Sequence, residues 1–190
     1  NNIRLYIMVG LPFEEISDIE EIITMAKNVR GYMDAVGSRG KLTLSVNPFI
    51  PKPQTPFQWL PMENLKSITK KIDYLQKEIK KIIGVEIIAE SPKEAYIQAV
   101  LARANRNIGK CILKTHQLGS VKNFKNVLKD ADLTEEKILY REFTETEILP
   151  WHNIDIGVTV DYFKQELTKA KEGLPTIACF DGCKRCGVCK

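Results

Sequence analysis

The stretch Asn47-Pro-Phe-Ile-Pro-Lys-Pro-Gln-Thr-Pro-Phe-Gln-Trp59 decides how this chain is read. Four of the nine prolines fall here, directly behind the apolar alternation Leu42, Leu44, Val46. Each proline fixes φ and removes a backbone donor, so neither a sheet nor a helix is expected to continue through it. The expectation is a stiff, extended rim at the end of a strand, with Phe49, Ile50, Phe57 and Trp59 as its apolar wall. In α/β folds ligands lie beyond the carboxyl ends of parallel strands. The rim is therefore where a small molecule would be met.

Working outward, Ile3 to Val9 reads as a strand that ends at Gly10-Leu11-Pro12. Gly10 lacks a Cβ and would let a ligand approach the backbone. Ser17 with Glu20 matches a capping box, Ile19, Ile22, Ile23, Ala26 and Val29 share one helical face, and Gly31 fits a stop. Beyond the rim, Leu65, Ile68, Ile72, Leu75, Ile79 and Ile82 recur by threes and fours, with lysines on the other faces. Val85 to Ala89 is another short apolar strand. The pattern β-α-β-α-β predicts a parallel sheet. Three strands are too few to close a barrel. With a strand opening the chain and no initiator Met, the expectation is a piece of a longer protein.

After Ser91 the texture becomes helical. Segments near 92–104, 106–118, 121–128, 134–140 and 160–170 read as helices, the last closed by Gly173. The expected organisation is a partial α/β barrel over 1–90, a helical extension over 91–173 and a Cys-rich tail over 174–190. The composition, 44% hydrophobic and 27% charged, suits globular domains. Net charge is a mild +4 with acids interspersed among the bases, which disfavours nucleic acid as the main partner. No apolar run approaches the ~20 residues of a membrane span. Five cysteines without a secretion signal imply a reducing compartment, here the cytoplasm.

Two segments carry a resemblance. Val9-Gly-Leu-Pro-Phe-Glu-Glu15 and Ser45-Val-Asn-Pro-Phe-Ile-Pro-Lys-Pro-Gln-Thr-Pro-Phe-Gln-Trp59 resemble the later strands of a radical S-adenosylmethionine barrel. That family's Gly-Leu-Pro-Gly-Glu-Thr-like turn is matched at Glu14, while Phe13 and Glu15 depart from it. Its Pro-Arg/Lys-Pro-Gly-Thr-Pro run is matched by Pro51, Lys52, Pro53, Thr55 and Pro56, with Gln54 in place of Gly. Leu101-Ala-Arg-Ala-Asn-Arg106, Leu149-Pro-Trp-His-Asn-Ile-Asp155 and the terminal cysteines resemble an Fe-S oxidoreductase-like subgroup, often with an upstream cobalamin-type domain. The resemblance implies a [4Fe-4S] cluster that reductively cleaves S-adenosylmethionine to start radical chemistry on a substrate. It implies adenosyl contacts at Val9, Gly10, Leu11, Val46, Asn47 and Phe49. The cluster loop Cys-x3-Cys-x2-Cys that precedes such strands is absent from these residues. The chain is therefore expected to be inactive alone, with the remainder of its own barrel as partner.

The tail, Cys179-Phe-Asp-Gly-Cys183-Lys-Arg-Cys186-Gly-Val-Cys189, also contains Cys-x3-Cys-x2-Cys. With only Lys190 behind it, no barrel follows to bind a nucleoside, so this is not the radical cluster motif. Four soft thiolates suit zinc or an iron–sulfur cluster, and an unligated redox tail is the remaining reading. Cys111 reads as core, His116 and His152 as packing or surface groups, with a place near a site as the alternative for His152 beside Trp151, and Arg103 and Arg106 as local ion-pair partners, with a phosphate contact as the alternative. The competing function is a non-catalytic, zinc-stabilised module binding RNA or a protein. An open edge at Ile3 to Val9 would invite a homodimer.

Overall fold

The computed structural model describes residues 1–189. Contacts divide them into two compact units, Asn1–Ile50 with Met62–Gln98, and Pro51–Pro61 with residues 99–189. The prolyl segment is thus cut at its root: Asn47 to Ile50 stay with the sheet, and the remainder folds into the helical unit.

In the first unit, β1 (Ile3–Val9), β2 (Leu42–Pro48) and β3 (Val85–Ala89) form a parallel sheet in that order. The crossovers are α1 (Ile16–Ala35) and α2 (Leu65–Ile79), which pack on each other and on the strands. Both therefore cover one sheet face. That face carries Val9, Leu42, Leu44, Val46 and Val85, all buried, against Ile19, Ile23, Ile68, Ile72 and Leu75. Fully burying each such side chain is worth about 1.5–3 kcal/mol, which is what holds a three-stranded sheet together. The opposite face presents Tyr6, Met8 and Ile88, 75%, 52% and 52% exposed, beside half-buried Thr43, Ser45 and Asn47.

Several local expectations are corrected. α1 is capped at Glu15, two residues before the predicted cap Ser17, where the Asp18 carboxylate accepts from the Glu15 N–H. It runs through Gly31 and stops at Gly37, φ +70°. The extra turn buries Met33 and brings Arg30 to donate to the Ser38 and Gly40 carbonyls, which outweighs the ~1 kcal/mol that an interior glycine costs. β2 continues through Pro48, opposite Val9. The rim is not extended throughout: Pro56–Trp59 winds into a 3-10 turn, because proline at a first helical position gives up only a donor that would have been orphaned.

The second unit contains α3 (Pro92–Arg103, its last residues), α4 (Ile108–Gln117), α5 (Phe124–Asp130), α6 (Glu135–Ile138) and α7 (Val160–Lys171). Its core is Trp59, Leu60, Phe143, Leu149, Trp151, Phe163 and Leu167. The prolyl segment is woven in by hydrogen bonds: Phe143 N–H to the Trp59 carbonyl (2.8 Å) and Trp151 Nε1 to Gln58 Oε1 (2.7 Å). No helix among the described residues is long and apolar enough to cross a membrane.

Candidate functional site

The carboxyl end of the sheet brings the first candidate residues together. Because β1 and β2 run parallel, the turns that follow them emerge at the same end. The Phe49 N–H donates to the Val9 carbonyl at 2.8 Å and ties the two turns to each other. Val9, Gly10 and Leu11 therefore lie beside Val46, Asn47 and Phe49. Their surroundings differ. Val9 and Val46 point into the helix-covered face and are fully buried, and Phe49 is 8% exposed. These three can reach a ligand only through their backbone. Leu11 and Asn47 are half-buried, and Asn47 shares the outward face of β2 with Thr43 and Ser45.

Gly10 adopts φ +85°. The space a Cβ would take is already filled from the same unit, 3.0 Å from Glu63 Oε2 and 3.1 Å from Ile68 Cγ1. The missing side chain thus serves the approach of α2. Behind the turn sits an ion triad. The Gly10 N–H donates to Glu14 Oε2 at 2.8 Å, and Lys71 Nζ donates to Glu14 Oε2 (2.8 Å) and Glu63 Oε2 (2.9 Å). Ser67 Oγ holds the other oxygen of Glu63 at 2.6 Å. Gly10→Ala is expected to lower unfolding stability by about 2 kcal/mol, from the left-handed backbone and the contacts with Glu63 and Ile68. Urea denaturation followed by far-ultraviolet circular dichroism would measure it, and an unchanged midpoint would mean that the turn relaxes freely.

Sequence reasoning missed the outward sheet face, the triad and a buried guanidinium in the second unit. The face was legible. Parallel strands covered on both sides read as continuous apolar runs, whereas Leu42-Thr-Leu-Ser-Val-Asn47 alternates. Alternation in a parallel strand marks a face that meets water or a ligand. The triad had only Glu14 as a signal, and its partners come from residues far along the chain.

In the second unit a cavity of about 430 Å³ opens beside Gln54, Trp59, Leu149, Trp151, His152 and Asp155. Its acids are engaged: Glu147 pairs with Arg141, Glu145 with Lys164, and Asp155 accepts from the Gly157 N–H. His152 Nδ1 bonds to the Leu149 carbonyl. Cys111 is buried, as the sequence predicts, whereas Arg103 has no carboxylate in contact and donates to backbone carbonyls.

The cysteine tail is partly gathered. Cys183 is buried, Cys186 half-buried, and Cys179 and Cys189 exposed, all four as free thiols. Arg185 Nε donates to Cys183 Sγ at 3.2 Å and holds that thiol down at about 7, while the neighbouring Cys183 pushes Cys179 up. Among the described residues no three His, Cys, Asp or Glu side chains are already drawn into a ligating group.

An uncharacterised protein of Methanocaldococcus jannaschii, MJ0966, is 38% identical over 109 residues, which are 57% of this chain and 22% of that protein. The chain thus spans about a fifth of its relative's length. No family model and no solved structure matches.

Proposed function

We propose that the chain supplies one wall of a radical S-adenosylmethionine barrel, with the nucleoside resting at the carboxyl end of β1 and β2. The observation that carries the reading is the union of the Gly10 turn with the Asn47–Phe49 turn through the Phe49-to-Val9 hydrogen bond. A second supports it: the helices cover one face only, and the uncovered face of β1 and β2 carries Tyr6, Met8, Thr43, Ser45 and Asn47, a surface that further strands or a ligand would have to meet. On this reading Asn47 bonds the ligand with its side chain and Leu11 lines the turn, while the Val9 carbonyl and the Gly10 N–H, held by Phe49 and Glu14, fix the turn's shape. Val46 and Phe49 hold the rim rigid. The [4Fe-4S] cluster and S-adenosylmethionine supply the radical-initiating electron chemistry. This chain's residues position the nucleoside and exclude water. Neighbouring barrel strands would complete the wall beside β1.

The reading predicts a Cys-x3-Cys-x2-Cys motif roughly 100–150 residues upstream of Asn1 in the encoding gene, the length of the strand–helix units still needed. The intact protein, reconstituted anaerobically and reduced, should release methionine from S-adenosylmethionine. Asn47→Ala should weaken S-adenosylmethionine binding about tenfold, the loss of one good hydrogen bond. An intact protein that lacks the motif, or that binds no S-adenosylmethionine by equilibrium dialysis, sinks the proposal.

A further inference from the structure

The tail at Cys179 to Cys189 lies outside the sheet site. Its local structure is more elaborate than a frayed terminus needs. Two turns shape it. The Cys183 N–H donates to the Phe180 carbonyl (3.0 Å) and the Gly187 N–H to the Lys184 carbonyl (3.3 Å). Each turn uses a glycine at positive φ, Gly182 at +79° and Gly187 at +86°. Only glycine takes this conformation without strain. At Gly187 a Cβ would also stand 2.7 Å from Thr159 Cγ2. The Thr159 N–H donates to the Cys186 carbonyl at 2.9 Å, so the loop is docked on the residue that caps α7.

Arg185 sits inside the loop. Its Nη2 donates to the carbonyls of Ile177 (2.9 Å) and Ala178 (3.0 Å), just ahead of Cys179, and its Nε to Cys183 Sγ. Its Nη1 is buried and has no hydrogen-bond partner. A buried guanidinium nitrogen left without an acceptor is costly, and such an atom calls for a partner, whether water, ion or ligand. The acceptor that fits is anionic and sulfur-rich: a set of metal-bound thiolates, whose net negative charge Arg185 and Lys184 would offset.

From the four cysteines, the two glycine turns and the unpaired Arg185 nitrogen, we infer that Cys179, Cys183, Cys186 and Cys189 bind a soft metal centre through four thiolates. The spacing favours an iron–sulfur cubane over a single zinc ion. Cys183, Cys186 and Cys189 repeat at Cys-x2-Cys-x2-Cys, the run that supplies three ligands of ferredoxin-type cubane sites, leaving the fourth position to Cys179, whereas zinc sites usually join two separated knuckles. Cys179 already neighbours Cys183, so closing the site needs the exposed Cys189 and the half-buried Cys186 to turn toward that pair. Each thiol gives up its proton on binding. The consequence is structural: the metal fastens residues 177–189 to the start of α7. The inference is independent of the radical reading and is tested without S-adenosylmethionine.

The test uses the 190-residue chain, purified anaerobically and, in parallel, loaded with iron and sulfide or with zinc. About one cubane per chain, with four iron and four sulfide and a brown absorption, is the expected result. Zinc at one equivalent, without sulfide and resistant to iron, would support the four-thiolate site and overturn its cubane assignment. Cys183→Ser should cut metal retention at least ~10-fold and Arg185→Met by ~10-fold, with Cys111→Ser unchanged as the control. Thiol titration should show four sulfurs protected from alkylation by metal in the parent chain. Less than about a tenth of an equivalent of either metal under all conditions, or Cys183→Ser retaining full occupancy in a folded chain, overturns the site.

Discussion

Arg103→Met should unfold the second unit at markedly lower denaturant, with a loss of about 3–5 kcal/mol. The side chain is 1% exposed. It donates Nε to the Ile138 carbonyl (2.9 Å), Nη1 to those of Gln58 (3.2 Å) and Leu60 (2.7 Å), and Nη2 to that of Arg141 (3.0 Å). One planar fork thus joins the prolyl segment, α6 and the loop after it. The guanidinium also lies 4.2 Å from the centre of the Phe143 ring, which the Arg141 guanidinium approaches at 4.3 Å. Burial, and secondarily the repulsion of Arg141, lower the pKa of Arg103 to about 10, with Glu147 acting weakly against them. The group still carries its charge at neutral pH. Burying that charge is expensive, and the four carbonyls and the ring make it tolerable. Met removes the charge but leaves the carbonyls without their donor. Methionine replaces the aliphatic stem only, so the loss reports the hydrogen bonds together with the space the guanidinium leaves. Arg103→Lys should recover less than half, since a single ammonium cannot span carbonyls arranged for a fork. Both tryptophans, Trp59 and Trp151, sit in this core, so their fluorescence during urea denaturation reports this unit. A midpoint shift worth under ~1 kcal/mol would show that the carbonyls find other donors.

The difference between what was legible and what was not follows from the range of the interactions. β1 and β3 begin and end where their apolar runs do, and the three-and-four spacing of α2 is what its buried stripe displays. These signals are local. The extent of α1 was set instead by tertiary contacts of Arg30 and Met33, which overrode the stop expected at Gly31. The prolyl segment shows the limit most clearly. Its stiffness is intrinsic to proline, but its destination is not. Trp59 and Leu60 are buried because Phe143, Leu149 and Trp151, some ninety residues on, provide the apolar surface. Pairing at that separation leaves no periodic trace in either segment. At the sheet end, the juxtaposition of Gly10 with Asn47 follows from parallel strands alone, whereas the occupation of the Gly10 Cβ position by Glu63 and Ile68 depends on packing that no motif encodes.

That packing leads to the second large effect. Lys71→Met should destabilise the sheet unit by about 3–5 kcal/mol, because it strips the paired ammonium from two carboxylates, one of them deeply buried. Side-chain exposure is 11% for Lys71, 4% for Glu14 and 25% for Glu63. Glu14 is the member that matters most, since its Oε2 also accepts the Gly10 N–H and so fixes the turn that ends β1. Glu14→Gln keeps an acceptor for Gly10 and leaves Lys71 paired with Glu63, so its loss should be smaller, about 1–2 kcal/mol. The double variant Glu14→Gln/Lys71→Met removes the more deeply buried of the two stranded charges and should be more stable than Lys71→Met alone, a coupling of at least ~1 kcal/mol. Hydrogen exchange at Gly10 and along β1 and β2 reads the unit directly. The pH dependence supplies the sign. Burial lowers the Lys71 pKa, but the bonds to Glu14 and Glu63 and their charges more than offset it, and the ammonium titrates above its ordinary value. A raised base contributes stability that is fully present below the unfolded pKa, about 10.4, and is lost as pH climbs through the folded value. The parent chain should therefore show faster exchange at β1 than the intrinsic rate accounts for above pH ~10.4, a component missing from Lys71→Met. Equal alkaline profiles in the two chains would mean that the triad is solvated and that the Gly10 turn is held by α2 packing alone.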